Sequence, residues 1–350
     1  MLRKDFVTAM ISAPALTRAL ASGNPQKPRR NKGGTKKLVV VFLRGGNDGL
    51  NTVIPIESTQ YARYAALRPR IAIPIQNVVP LQGTSFFGLH PSLQPLQPIY
   101  NNGHLCFIHC VGYPNPDRSH FESEAYFETA TPGNTLVDGW LNRLLQFGPS
   151  AGGLIRGICI GSQLPQSLLG SYSVPVSSNF GNIIIGGDDE NPHEGNQILE
   201  SILSGTPTPG NEAVYATGNA IFQMVNNFSD RNYNNYVPEN NANYYESSAQ
   251  IGRRMRHAAQ MLKETPSPLN IELAVIDTGG YDTHSGQVVG APERTDVGHG
   301  SLLRDLARAM KAFYTDMGPT RMQDIAVMVI SEFGRRAYDN DSNGTDHGTG

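Results

Sequence analysis

Acidic and imidazole side chains recur in three short stretches of the chain: Asp48 alone, then Asp277, Asp282 and His284, then Glu332, Asp346 and His347. Carboxylate oxygen with neutral imidazole nitrogen is the donor set of Zn, Mn and Fe sites, whereas carboxylates alone suit Mg or Ca. In Asp282-Thr-His284 and in Asp346-His347 the two groups are close enough for one loop to aim both at one cation, or at two adjacent ones. Ordinary alternatives stand beside these readings. Asp48 lies in a Gly-Gly-Asn-Asp-Gly loop, where Asn and Asp are natural turn formers, and Asp277 is placed to cap the Gly279-Gly280 turn. Arg44 and Arg335, each near a proposed ligand, could clamp an anion bidentately or pair with neighbouring carboxylates. His90, before Pro91, fits a loop-ordering or helix-capping role.

These stretches follow runs that read as buried strands. Lys37-Leu-Val-Val-Val-Phe-Leu43 is continuously β-branched and aromatic, as a strand covered on both faces of a mostly parallel sheet must be. His104–Val111, Ile155–Ile160, Ile271–Ile276 and Asp324–Ile330 read the same way. Leu303, Leu306, Ala307, Met310 and Phe313, and likewise Ile251, Met255, Ala258 and Leu262, recur at helical spacing and predict two amphipathic helices. Alternating strands and helices imply a doubly wound α/β fold, whose ligands bind beyond the carboxyl ends of the strands. Residues 162–245, rich in Ser, Gly, Pro and Asn, break the alternation and read as an insertion or cap.

With 28 Lys and Arg against 30 Asp and Glu, the chain has no electrostatic reason to bind nucleic acid. No stretch after the N-terminus reaches the roughly 18 apolar residues that a membrane span requires. At the N-terminus, basic Arg3-Lys4 leads into the mostly apolar Ala9–Leu20, which ends in Ala19-Leu20-Ala21. That order is the one an export signal requires, and Arg-Lys-Asp-Phe resembles a twin-arginine signal with lysine in second place. Residues 1–21 are therefore expected to be a signal read by twin-arginine export machinery, residues 22–36 a linker, and residues 37–350 one α/β domain of a periplasmic or extracellular protein. Cys106, Cys110 and Cys159 cannot all pair, so no disulfide framework is expected. Cys106 and Cys110 read as two small buried hydrophobes.

The segments Phe42-Leu-Arg-Gly-Gly-Asn-Asp-Gly-Leu-Asn51, Leu89-His90-Pro91, Arg118-Ser-His-Phe-Glu122, Gly139-Trp140-Leu141, Asp277-Thr-Gly-Gly-Tyr-Asp-Thr-His284, Ser331-Glu-Phe-Gly-Arg335 and Gly344-Thr-Asp-His-Gly348 resemble the DUF1501 family of exported bacterial proteins of unknown function. That family is similar in turn, more distantly, to the alkaline phosphatase and sulfatase superfamily. The relation implies a three-layer α/β/α sandwich with one or two divalent cations, most readily Zn, with Mg, Mn or Ca as alternatives. Family members usually continue past this chain's Gly350 with further sheet and helix, which implies an incomplete sheet edge here.

Carried over by resemblance, Asp48 matches the superfamily's first metal aspartate, and Asp282 and His284 match an Asp and His that hold one cation. Ser331-Glu332-Phe333-Gly334 stands where the superfamily shows Ser-Asp-His-Gly, so Glu332 keeps a carboxylate and Phe333 lacks the imidazole. Asp346-His347 then supplies the last histidine, or aligns directly with the Asp-His pair. Ser119 occupies the nucleophile's place at the start of a helix, where developing negative charge is favoured. Ser119-His-Phe-Glu122 is equally a capping box, and His120 could be a metal ligand, a general acid or a packing residue. The expected function is metal-dependent hydrolysis of phosphate or sulfate esters, with Arg44 and Arg335 on the substrate. The alternative is a non-catalytic binding or surface-assembly protein on the same fold. There is no G-x-S-x-G elbow, P-loop, H-E-x-x-H or G-x-G-x-x-G, which argues against lipase-type hydrolases, NTPases, zincins and nucleotide-dependent dehydrogenases.

Overall fold

The computed structural model describes residues 36–132, 137–148, 155–180, 194–206, 235–245, 250–263 and 269–349, with 215, 219 and 222 besides. The expected export signal and all but the last residue of the expected linker lie outside the described residues. The chain forms a mixed α/β structure. Strand β1 (Lys37–Leu43) is followed by β2 (Val53–Pro55), helix α1 (Ser58–Leu67), β3 (Val79–Pro80) and β4 (Phe87–Leu89). Helices α2 (His120–Thr129) and α3 (Trp140–Phe147), strand β5 (Ile155–Ile160), and helices α4 (Glu194–Leu203) and α5 (Ile251–Lys263) come next. The chain then runs through β6 (Leu269–Thr278), α6 (Gly298–Met322) and β7 (Ile325–Ile330).

Strands β5, β6, β1 and β7 lie in that order in one sheet, and every pairing is parallel. β1 is interior: Val40 pairs with Val275 on one side and Met328 on the other. Its alternate residues enter different cores, which is why its sequence is apolar throughout. Val39, Val41 and Leu43 pack with Met255, Ala258 and Leu262 of α5 and Phe313 of α6, while Val40 packs with Leu141 and Leu145 of α3. The two helical stripes read from sequence are thus the faces that α5 and α6 bury.

A separate antiparallel sheet, in the order β2-β4-β3, packs Val53 and Leu89 with Leu303 and Ala307 of α6. Among the described residues, no helix is long and apolar enough to cross a membrane.

His104–Val111 departs from expectation. It is irregular rather than a strand and has no place in the sheet, its apolar side chains being taken up by the α6 core instead. Its period of two survives without a sheet partner. Leu105 and Phe107 lean on the α6 core, while Ile108, Cys106 and Cys110 face outward, so these two cysteines are exposed and not buried.

One buried carboxylate fastens part of the expected insertion to this framework. Asp316 of α6 accepts hydrogen bonds from Tyr236 and Tyr244 hydroxyls (2.7 and 2.8 Å), the Glu239 amide (2.7 Å) and the Lys263 ammonium (2.5 Å). Asp316 is fully buried and the Lys263 side chain nearly so. Removing one partner of a buried pair strands the other charge. Asp316→Ala is therefore expected to lower unfolding free energy by about 3–5 kcal/mol, as read by urea denaturation.

Candidate metal centre

Because β6, β1 and β7 are adjacent and parallel, their carboxyl ends lie side by side, bringing the loops after Thr278, Leu43 and Ile330 together. The close approach depends on two glycines. A Cβ at Gly45 (φ +118°) would stand 2.2 Å from the Asp282 amide nitrogen, and one at Gly46 (φ +77°) would stand 2.3 Å from the Phe333 ring. Only a residue without a side chain lets the β1 loop pass here.

Three histidines and one aspartate converge at this end of the sheet. Single donor atoms of His120, Asp282 and His347 all lie within 4.8 Å of one another. His284 joins them, its Nε2 being 2.8 Å from His347 Nε2 and 3.1 Å from Asp282 Oδ1. His347 Nε2 is also 3.1 Å from Asp282 Oδ1, and His120 Nε2 is 3.4 Å from Asp282 Oδ2. A tetrahedral cation with bonds of about 2.0–2.2 Å sets its ligand atoms roughly 3.3–3.6 Å apart, so the contacts of the three Nε2 atoms with Asp282 suit such an ion and the 2.8 Å His284–His347 pair must open to admit it.

Each imidazole commits its other nitrogen elsewhere. His347 Nδ1 donates to the Arg118 carbonyl (2.8 Å), His120 Nδ1 to Glu332 Oε1 (2.8 Å), and His284 Nδ1 to Asp346 Oδ1 (3.2 Å). With Nδ1–H used in this way, a neutral ring presents a bare lone pair at Nε2. This is how acceptors behind a metal-binding histidine fix its tautomer. His120 Nε2 is buried without a hydrogen-bond partner, and the Nε2 lone pairs of His284 and His347 face each other. A donor set of this kind is completed by a cation or a proton. Burial raises the Asp282 pKa, but the hydrogen bond from Arg335 and the Arg335 charge help to hold it at about 2. Asp346 is also held below the usual carboxylate value, chiefly by hydrogen bonds from Asn340 and His284.

The structure brings together Asp282, His284 and His347 of the sequence-derived metal set and adds His120, which that reading left as a metal ligand, a general acid or a packing residue. Asp346 stands behind His284. Glu332 is fully buried and stands behind His120, where Oε1 also accepts from the Gly45 amide (2.7 Å). Asp48 does not reach the cluster: it is buried in an ion pair with Arg68 (2.5 Å) and accepts from Gln287 (2.6 Å). Phe333, where the resemblance left a histidine missing, packs its ring 4.9 Å from His120 and 4.6 Å from His347, and the third imidazole arrives from α2 instead.

Neither proposed anion clamp is free. Arg335, buried, donates to the carbonyls of Gly46, Thr345 and Tyr281 and to Asp282. Arg44 pairs with Glu124, Glu128 and Asp277, so Asp277 holds an arginine rather than capping a turn. Ser119 begins α2, but its side chain makes no capping bond, so the expected capping box is not formed. His90 caps the helical turn at Pro91 by accepting from the Ser92 amide, as its position suggested. The contact between Glu332 and His120 was hidden from sequence because it spans 212 positions and two unrelated motifs.

Burial would raise the Asp48 pKa, but Arg68, by charge and hydrogen bond, pulls it below its ordinary value. A lowered folded pKa contributes stability that is full above the unfolded value, about 4, and lost as pH falls through the folded value. In Arg68→Met the main opposition to burial is gone, and the Gln287 hydrogen bond remains. The variant should lose about 3–5 kcal/mol at pH 7, and urea titrations should show the deficit shrinking below about pH 4.

Residues 227–350 match the model of DUF1501, a family described as protein of unknown function, and the matched stretch carries Asp282, His284, Glu332, Arg335, Asp346 and His347. No curated protein and no solved structure matches the chain. Over that stretch, the chain is similar to the family that its motifs resemble.

Proposed function

We propose that the protein is an exported, metal-dependent hydrolase of phosphate or sulfate esters, built on an alkaline phosphatase-like α/β/α sandwich. The observation that carries the metal is the convergence of three Nε2 atoms on Asp282 while every Nδ1 is engaged by an acceptor. Three imidazoles and one carboxylate favour Zn over Mg or Ca.

When bound, such a cation would polarise an ester oxygen and make a nucleophile available at neutral pH. The chain's own residues do the rest. Glu332, Asp346 and the Arg118 carbonyl hold the imidazoles in the binding tautomer, and Arg335 holds Asp282 ionised. The side chains of Asp282, His284 and Asp346 are each at least two-fifths exposed, so the centre opens to solvent on their side. Ser119 lies between Arg118, whose carbonyl His347 engages, and His120. Its place at the N-terminus of a ten-residue helix favours negative charge developing nearby.

A second reading has its own support. Arg44 and Arg335 are both fully engaged, so neither supplies a ready oxyanion clamp, as a non-catalytic binding or surface-assembly protein would allow.

Metal analysis of protein purified without chelator should find about one Zn-class ion per chain, lost in His120→Ala and in His347→Ala. Metal absent from well-folded parent protein contradicts the reading. With metal present, turnover of an aryl phosphate or sulfate that stops on chelation and in Ser119→Ala identifies the serine as nucleophile. Turnover that survives Ser119→Ala points to water, and no turnover of either ester favours the binding protein.

A further inference from the structure

The loop carrying Asp282 and His284 follows β6 and the segment carrying Asp346 and His347 follows β7, two strands separated by β1, and their spacing sets the gap between the donors. Backbone bonds zip them together: the Thr345 amide donates to the Thr283 carbonyl, and the Gly286 and Val288 amides donate to the Ser342 and Asn343 carbonyls. Side chains then meet at one buried amide. Gln287 Oε1 accepts from the Thr283 hydroxyl (2.9 Å) and the Thr345 hydroxyl (2.7 Å). Thr283 sits between Asp282 and His284, and Thr345 directly precedes Asp346.

The same amide is oriented from behind. Gln287 Nε2 donates to Asp48 Oδ2 (2.6 Å), which also accepts from Arg68 Nη1 (2.5 Å). An aspartate accepting from Arg68 requires a donor on its other neighbour, so the amide cannot flip. Its oxygen must face the two hydroxyls. Arg68, Asp48, Gln287 and Thr345 are at most 1% exposed and Thr283 is 7% exposed, so water does not compete for these bonds.

We infer that Gln287 is a positioning residue for the metal centre, fixing the separation of the two ligand loops, and that Asp48 acts through it rather than as a ligand. The inference rests on the metal reading above. Groups behind a ligand typically change metal affinity about 10–100-fold when removed.

The test uses the full chain with Zn2+ and Co2+ as probes. Zn2+ affinity is measured by competition with a chromophoric chelator, and coordination by the visible spectrum of the Co2+ form. Thermal unfolding of metal-free protein measures folding separately. Gln287→Met removes three hydrogen bonds at similar volume, and Thr283→Val with Thr345→Val removes only the two that reach the loops. Both variants are expected to weaken Zn2+ binding about 10–100-fold and to alter the Co2+ spectrum, while Thr345→Ser, which keeps its hydroxyl, stays within about threefold of parent. If Gln287→Met does not fold, the threonine pair decides. Parent-like affinity and Co2+ spectrum in whichever variants fold, whatever their thermal stability, would overturn the positioning role while leaving the centre intact. Failure of the parent itself to bind either ion would instead overturn the metal reading, and this inference with it.

Discussion

Two imidazole nitrogens 2.8 Å apart, each with its ring's other nitrogen already donating, present lone pair to lone pair unless positive charge lies between them. That constraint governs the end of the sheet. Asp282 brings its carboxylate within 3.1 Å of both nitrogens, and His120 brings a third lone pair that is buried and unpartnered. The acceptors that create this situation, Glu332, Asp346 and the Arg118 carbonyl, lie on the long segment after β7 and on the segment ahead of α2. No single loop could produce it.

The surrounding structure serves this convergence at two levels. Strand order places the three loops side by side, and the side-chain-free Gly45-Gly46 backbone lets the β1 loop lie against Asp282 and Phe333. Arg335, at the centre, is consumed by carbonyls of that loop and by Asp282, so it welds the β1, β6 and β7 ends together instead of facing solvent. Behind them the Arg68–Asp48–Gln287 chain carries a buried ion pair whose value depends on full satisfaction. Asp282 and the two buried carboxylates divide by exposure. Asp282, 47% exposed, is free to bind, while Asp48 and Glu332, at 1% and 0%, are committed to the protein.

Much of the framework was legible in the sequence, because strands covered on both faces must be apolar throughout. β1 and β7 announce themselves that way, β5 and β6 do so apart from the Arg156–Glu272 pair inside them and the polar ends of β6, and the stripes of α5 and α6 are legible in the same way. His104–Val111 carries a similar composition without a place in the sheet, and composition alone cannot show that Leu105 and Phe107 pack against α6 instead. The ligand-bearing loops were legible through their paired Asp and His residues. The roles within them were not. Asp48 and Glu332 have the right chemistry and lie in the right loops, but burial and partner geometry turn them into supports. His120 enters on a helix N-terminus whose docking depends on long-range contacts, and Gln287 is an unremarkable amide until both threonines are seen to meet it.

Anomalous diffraction at the zinc edge, from crystals of the full chain grown with Zn2+, tests the central claim most directly. A single strong peak bonded to His120 Nε2, His284 Nε2, His347 Nε2 and Asp282, with Asp48 still paired to Arg68 and Glu332 still behind His120, is the expected result. A peak held by Asp48 or Glu332, or well-ordered imidazoles at this end of the sheet with no peak among them, would contradict it.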